Sequence, residues 1–323
     1  MPPEPPPVIS LVIPMWDEAE GVAELLRRVR AVCQAASGYA WQIVTVDDGS
    51  SDATHARLLE LLPTFASWKL LKLSRNFGQQ PAYRAGLDAA DGRAVIFLDA
   101  DLQDPPELIP QLLAEWEKGA KLVTACRRSR QETGLRRALF DAFHRIFFRL
   151  TGGVMPKDSG TYALMDRIVA DHLKAMPERN LFLPALRGWI GHPQATVLYD
   201  RQARAAGEPK QSFSRLLNYA WDGITSFSDL PLKAISLIGL LISFAGLSYG
   251  LLLVVIRILQ FFGWFRTLEI QGFTTLAVAV FCLGGIQLLC LGIIGEYLAR
   301  IYRETKKRPH YILESVAESP RQP

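Results

Sequence analysis

Two stretches of this 323-residue chain carry no charged side chain for 23 residues each, Ala234–Ile256 and Phe273–Gly295. At about 1.5 Å of rise per residue, a helix of that length spans the roughly 30 Å hydrocarbon core of a bilayer. A helix buried in a soluble core seldom runs so far without a polar face, so both stretches are read as membrane spans. Composition sharpens the contrast: residues 232–300 hold six charged side chains (Lys233, Arg257, Arg266, Glu269, Glu296, Arg300), although the whole chain is 21% charged. Arg300, Arg303, Lys306, Lys307 and Arg308 follow the second span, and a basic flank marks the cytoplasmic side. Two spans return the chain to the side on which it began, so both termini are expected in the cytoplasm. The connection at 257–272, with Phe261, Phe262, Trp264 and Phe265, is expected as an aromatic hairpin at the far interface.

Several classes drop out. With 49% hydrophobic residues the chain is not disordered. A net charge of +4, from scattered residues, calls for no nucleic acid. Cys33, Cys126, Cys282 and Cys290 show no C-x-x-C spacing, so neither a disulfide framework nor a zinc site is suggested. The proline-rich Met1–Pro7 lacks the basic start of a signal peptide and is expected as a disordered tail.

In residues 8–130, short apolar runs (Val8–Ile13, Gln42–Val46, Val95–Leu98, Leu122–Ala125) alternate with helix-like segments. That alternation implies βαβ units, hence an α/β domain with a mainly parallel sheet whose ligands bind at the carboxyl ends of the strands. The organisation expected is this domain at 8–211, an interfacial helix at 212–231, the two spans within 232–300 and a basic cytoplasmic tail at 301–323. Apolar residues at helical spacing in Arg136–Leu150 and Phe213–Phe227, flanked by arginines in the first, suit helices lying in the membrane interface.

The run Val95–Leu98 ends in Asp99-Ala100-Asp101-Leu102-Gln103-Asp104-Pro105-Pro106-Glu107. In extended backbone Asp99 and Asp101 point the same way, and carboxylates that close repel unless a cation lies between them. Oxygen-only ligands favour Mg2+ or Mn2+ shared with substrate phosphates. A second strand closes in Val46-Asp47-Asp48-Gly49-Ser50-Ser51-Asp52, where capping explains the Ser and final Asp but not two successive aspartates. The first strand ends in Pro14-Met15-Trp16-Asp17-Glu18 at the same rim.

Together with Arg75-Asn76-Phe77-Gly78, Glu178-Arg179-Asn180, Trp189-Ile190-Gly191, Arg204 with Gly207-Glu208 and Lys210, and Gly295-Glu296-Tyr297-Leu298, these motifs resemble family 2 glycosyltransferases of the GT-A fold. The resemblance runs from about residue 8 to 313 and is closest to the polyprenyl-phosphate branch, which includes bacterial undecaprenyl-phosphate glucosyltransferases and dolichol-phosphate mannose synthases. It implies an inverting enzyme of the inner (cytoplasmic) membrane that moves a sugar from a UDP- or GDP-linked donor, UDP-glucose first, to a polyprenyl phosphate. It assigns Pro14, Trp16, Glu18, Val46 and Asp48 to the nucleoside. Asp99, Ala100, Asp101 and Gln103 fall to the diphosphate and its Mg2+ or Mn2+, with Asp99, Asp101 and Gln103 as ligands. Arg127, Arg204 and Lys210 fall to the donor and acceptor phosphates, and Asp158 is a further candidate catalytic carboxylate. The chain departs from the family pattern at Asp17, Gln79-Gln80, Pro209, Thr161 and Ala163, which bears on sugar specificity. A silent nucleotide-sugar sensor would have no use for the intact set of acidic and basic residues. A processive polysaccharide synthase would carry Q-x-x-R-W and more spans. Small residues such as Gly284-Gly285 leave a homo-oligomer open.

Overall fold

The computed structural model describes residues 6–128, 159–178, 182–200, 230–262 and 272–319. It divides into two compact units, Met1–Leu217 with Arg308–Pro323, and Asn218–Lys307. Asp158, Arg204, Lys210, the segment 136–150 and the expected interfacial helix up to residue 229 lie outside the described residues.

In the first unit, strand and helix alternate through β1 (Val8–Met15), α1 (Val22–Ala35), β2 (Ala40–Asp47), α2 (Thr54–Leu61), β3 (Trp68–Leu73), α3 (Gln79–Ala89) and β4 (Ala94–Phe97). β1 pairs in parallel with β2 and β4, and β2 with β3. Helices cover both faces, so β1 is buried from Ile9 to Met15, which is why it reads as an unbroken apolar run. α1 turns the stripe Val22, Leu25, Leu26, Val29 and Val32 onto the sheet. α3 lies so close that a Cβ on Gly86 would stand 2.2 Å from Val12 Cγ1.

The chain continues through α4 (Ile109–Glu117), β5 (Leu122–Arg127), β6 (Ser159–Asp166), α5 (Arg167–Ala175), α6 (Leu183–Trp189) and β7 (Gln194–Tyr199). β6 runs antiparallel between β4 and β5, and β7 joins β5 in parallel. This is the mainly parallel α/β architecture expected.

The second unit contains α7 (Leu230–Phe261) and α8 (Gly272–Thr305). Ile235–Ile256 in α7 and Cys282–Thr305 in α8 are long and apolar enough to cross a bilayer, with mean hydropathies of 2.3 and 1.6. The α7 stretch coincides with the first expected span; the α8 stretch overlaps the second but lies further toward the C-terminus. Leu240, Phe244 and Leu288 are among the large apolar side chains exposed along these helices, more than a water-facing surface carries.

The stretch expected as a basic tail returns to the sheet. β8 (Leu313–Glu318) pairs antiparallel with β3, completing the order β7-β5-β6-β4-β1-β2-β3-β8. Ser319 and Trp68 exchange two hydrogen bonds of 2.9 Å, and Lys72 meets Glu314 at 2.8 Å. Backbone pairing at an open sheet edge, not hydrophobic periodicity, makes this strand, and its side chains are mostly exposed.

Candidate functional site

β1 has β2 on one side and β4 on the other, and the chain reverses its direction of progress between them. Ligands of open α/β sheets bind beyond the carboxyl ends of the strands at such a switch point. Leu98 N donates to Val12 O at 3.0 Å as the last rung toward β4. Two residues on stands Pro14, which has no N–H to give, so the sheet opens between β1 and β4 where the loop 98–104 departs. Pro14 itself is buried, whereas Trp16 is exposed and Glu18 half-buried at the rim.

The loops after β1 and β2 are laced together. Asp17, at φ +51°, accepts from Ser51 N at 2.8 Å, Glu18 N donates to Thr54 Oγ1 at 2.9 Å and Ala19 N to Asp52 Oδ2 at 3.1 Å. At the end of β2, Val46 is fully buried, main chain included. Asp48 accepts from Phe77 N at 2.7 Å and Gly78 N at 2.9 Å. Burial pushes its carboxyl up to about 6, helped by Asp47 and opposed by those two amides. The turn that supplies the amides fits only because Gly49 is bare: at φ +65° its Cβ would lie 2.4 Å from the Arg75 carbonyl carbon. The Arg75 guanidinium stacks on Phe77, 4.1 Å from the ring centre.

Beyond β4, Asp99, Ala100, Asp101 and Gln103 lie on one loop that turns at Ala100 and Asp101 and does not stay extended. Asp99 Oδ1 accepts from the Tyr83 hydroxyl at 2.5 Å and Gln79 Nε2 at 2.8 Å, both from the first turns of α3. Burial, then the negative charge of Asp104, pushes the Asp99 carboxyl up to about 6, with Asp101 adding to it and the Tyr83 hydrogen bond opposing. Asp101 Oδ1 accepts from Gln103 N at 3.1 Å, and Leu102 between them holds φ +58°, a conformation rare for a branched side chain. Glu107 anchors the loop's far end to Arg28 on α1 through two hydrogen bonds of 2.8 and 2.5 Å.

Arg127 closes β5, part-exposed, with Nε 3.2 Å from the Tyr199 hydroxyl. Tyr199, Gln79 and Tyr83 were not singled out from the sequence as site residues. The i, i+4 spacing of Gln79 and Tyr83 on one helix face was the available signal for that pair.

Among the described residues no three His, Cys, Asp or Glu side chains group closely enough to enclose a metal. Asp99 and Asp101 nevertheless offer the oxygen donors that suit a hard divalent cation, and the like charges that raise the Asp99 carboxyl are those a cation would relieve.

A family model described as glycosyl transferase family 2 matches residues 10–174. A prophage bactoprenol glucosyl transferase homolog of Escherichia coli is 39% identical over 309 residues, 95% of this chain and 99% of its own. An undecaprenyl-phosphate 4-deoxy-4-formamido-L-arabinose transferase of Klebsiella pneumoniae is 35% identical over 322 residues, 98% and 96% of the two chains. A glucosyl-3-phosphoglycerate synthase of Mycobacterium tuberculosis, solved with Mn2+, UDP and phosphoglyceric acid, has a similar fold at 18% identity. It covers 68% of this chain and 76% of its own with a TM-score of 0.51. On the family match and the near-full-length relatives, this chain belongs to glycosyl transferase family 2.

Proposed function

We propose that this protein is a membrane-anchored inverting glycosyltransferase that moves a sugar, glucose from UDP-glucose first, onto polyprenyl (undecaprenyl) phosphate. The product is a polyprenyl-monophosphate sugar for cell-envelope glycan or lipid modification. The observation that carries this reading is the joint presence, in one chain, of an Asp99-Ala100-Asp101 loop at the switch point of the sheet and two helices long and apolar enough to cross a bilayer. The names of the Escherichia coli and Klebsiella relatives support the lipid-phosphate acceptor; they differ in sugar, which leaves glucose as the first of several donors to test.

Pro14, Trp16, Glu18 and Asp48 serve the nucleoside end of the crevice; Val46, fully buried, has no accessible surface through which to meet it. Asp99, Asp101 and Gln103 would hold a divalent cation, Mg2+ or Mn2+, beside the donor diphosphate. When bound, the cation neutralises charge on the leaving diphosphate. The acceptor phosphate is already ionised near pH 7, so its oxygen attacks the anomeric carbon without a strong general base and inverts that centre. The barrier lies in the departing diphosphate, where Arg127, with Arg204 and Lys210, stabilises the developing charge. Asp158 has no step in this scheme beyond positioning.

β3 precedes the apolar helices in sequence and β8 follows them, yet both belong to one sheet. The chain between must therefore cross a bilayer an even number of times, which supports a two-span anchor with catalytic domain and termini on the cytoplasmic face of the inner membrane. The test is to incubate the purified full chain with Mn2+, undecaprenyl phosphate and a panel of radiolabelled UDP- and GDP-sugars. Label from UDP-glucose should pass into an organic-soluble product; no lipid-linked label from any donor refutes the reading.

A further inference from the structure

Asp104 belongs to the same loop as Asp99 and Asp101 but is turned inward and fully buried. Its Oδ1 accepts a hydrogen bond from the Tyr199 hydroxyl, and its Oδ2 lies 3.7 Å from an Arg127 terminal nitrogen. The same hydroxyl accepts from Arg127 Nε at 3.2 Å. A phenol has one hydrogen to give and lone pairs to receive. With its hydrogen committed to the Asp104 carboxylate, the lone pairs of Tyr199 are left for the guanidinium. Asp104 thus sets the polarity of Tyr199, and Tyr199 sets the orientation of Arg127, across three elements far apart in sequence.

The guanidinium has five N–H donors, of which the Nε–H is taken by Tyr199. One terminal nitrogen faces Asp104 Oδ2 at 3.7 Å, which leaves the other, with the outward hydrogens of the planar fork, to match phosphate oxygens. Gly160 lies alongside: a Cβ there would stand 3.4 Å from an Arg127 terminal nitrogen, in ordinary contact. That stretch of backbone is itself fixed by the buried Arg187, which donates to Thr161 O at 2.7 Å and Gly160 O at 2.9 Å.

We propose that Asp104 and Tyr199 are positioning residues that hold the Arg127 guanidinium, Tyr199 at its Nε and Asp104 beside one terminal nitrogen, so that the remaining donors of its fork are presented to the donor diphosphate. The inference rests on the function proposed above and deepens it. A guanidinium oriented in advance meets the charge that develops on the leaving group without reorganising; one that swings freely does not.

The full chain in detergent micelles, supplied with UDP-glucose, Mn2+ and undecaprenyl phosphate, provides the test. Tyr199→Phe removes one oxygen and keeps the ring edge-on to Tyr162, 6.3 Å between centres at 78°. Misplacement of the fork should lower kcat by roughly 10- to 100-fold, with a smaller change in KM; loss of the hydrogen bond to the buried Asp104 carboxylate should also lower the melting temperature, so turnover is compared well below the melting of either protein. In an Arg127→Met background the same substitution should cost nothing further, because the group it positions is gone. Asp104→Asn, whose amide oxygen can still accept the hydroxyl hydrogen, should be milder than Asp104→Ala. A Tyr199→Phe enzyme with wild-type kcat, or one whose loss repeats in full on Arg127→Met, overturns the inference while leaving the proposed function standing. A wild-type chain that transfers no sugar to the lipid overturns both.

Discussion

Gly49 and Gly191 both have a positive φ, +65° and +76°, yet alanine should be tolerated far better at the second. The left-handed backbone alone costs a residue with a Cβ about 1–2 kcal/mol, and this applies to both. At Gly191 a Cβ meets nothing nearer than Trp189 O at 3.9 Å, an ordinary contact. At Gly49 it would stand 2.4 Å from Arg75 C and 2.7 Å from Asn76 N, so the backbone of the 75–76 turn must retreat. The amides that follow in that turn are those of Phe77 and Gly78, which hold the buried Asp48 carboxylate. Loss of even one hydrogen bond to a charged group adds about 1.5–3 kcal/mol. Gly49→Ala should therefore cost at least about 2.5 kcal/mol, lowering the melting temperature by roughly 5–10 °C or more, against about 1–2 kcal/mol for Gly191→Ala. Melting of the two full-length variants in the same micelles, with donor turnover measured alongside, checks this. A Gly49→Ala protein that melts no lower than Gly191→Ala refutes the reasoning about the crowded turn.

Two further outcomes follow from the same geometry. Because the folded Asp48 carboxyl is pushed up to about 6, the folded state holds that proton more tightly than the unfolded chain. Its stabilising contribution is complete below about pH 4 and is lost as pH rises through about 6, a change of about 3 kcal/mol. Asp48→Asn should flatten the fall in denaturation midpoint over that range, and an unaltered slope would contradict the assignment. Removing residues 308–323 uncovers the β3 edge and strips the Ser319–Trp68 and Lys72–Glu314 contacts, so the truncated chain should melt lower and self-associate on size-exclusion chromatography. A truncated chain that elutes and melts like the full chain would show that β8 contributes nothing to the sheet.

The parts of the fold legible in sequence are those that burial writes into composition. β1, β2 and β4 are covered on both faces, so each reads as an apolar run ending at a polar rim, and the functional loops sit at those ends. The two long helices are legible by apolar length and composition alone. β7 and β8 are not: Gln194–Tyr199 and Leu313–Glu318 are edge strands with many exposed side chains, held by backbone pairing that leaves little mark on residue type. Asp99 and Asp101 announce themselves by adjacency on one strand end. Asp104, Arg127 and Tyr199 come together only because β5 and β7 pair beside the loop, a juxtaposition across 95 residues with no local signal. Gln79 is a middle case. It stood out as a departure from the family pattern, but its bond to Asp99 depends on where α3 packs.

In the proposed function, the loop beyond β4 drives transfer of a sugar to a lipid phosphate. The measurement that tests it most directly is the rate of lipid-linked sugar formation by purified wild-type chain and by Asp101→Asn, with undecaprenyl phosphate and UDP-glucose at matched protein folding. The wild type should form the lipid-linked product in a divalent-cation-dependent manner, and Asp101→Asn, lacking one of the proposed anionic cation ligands, should form essentially none. An Asp101→Asn enzyme that transfers sugar at close to the wild-type rate would contradict the account.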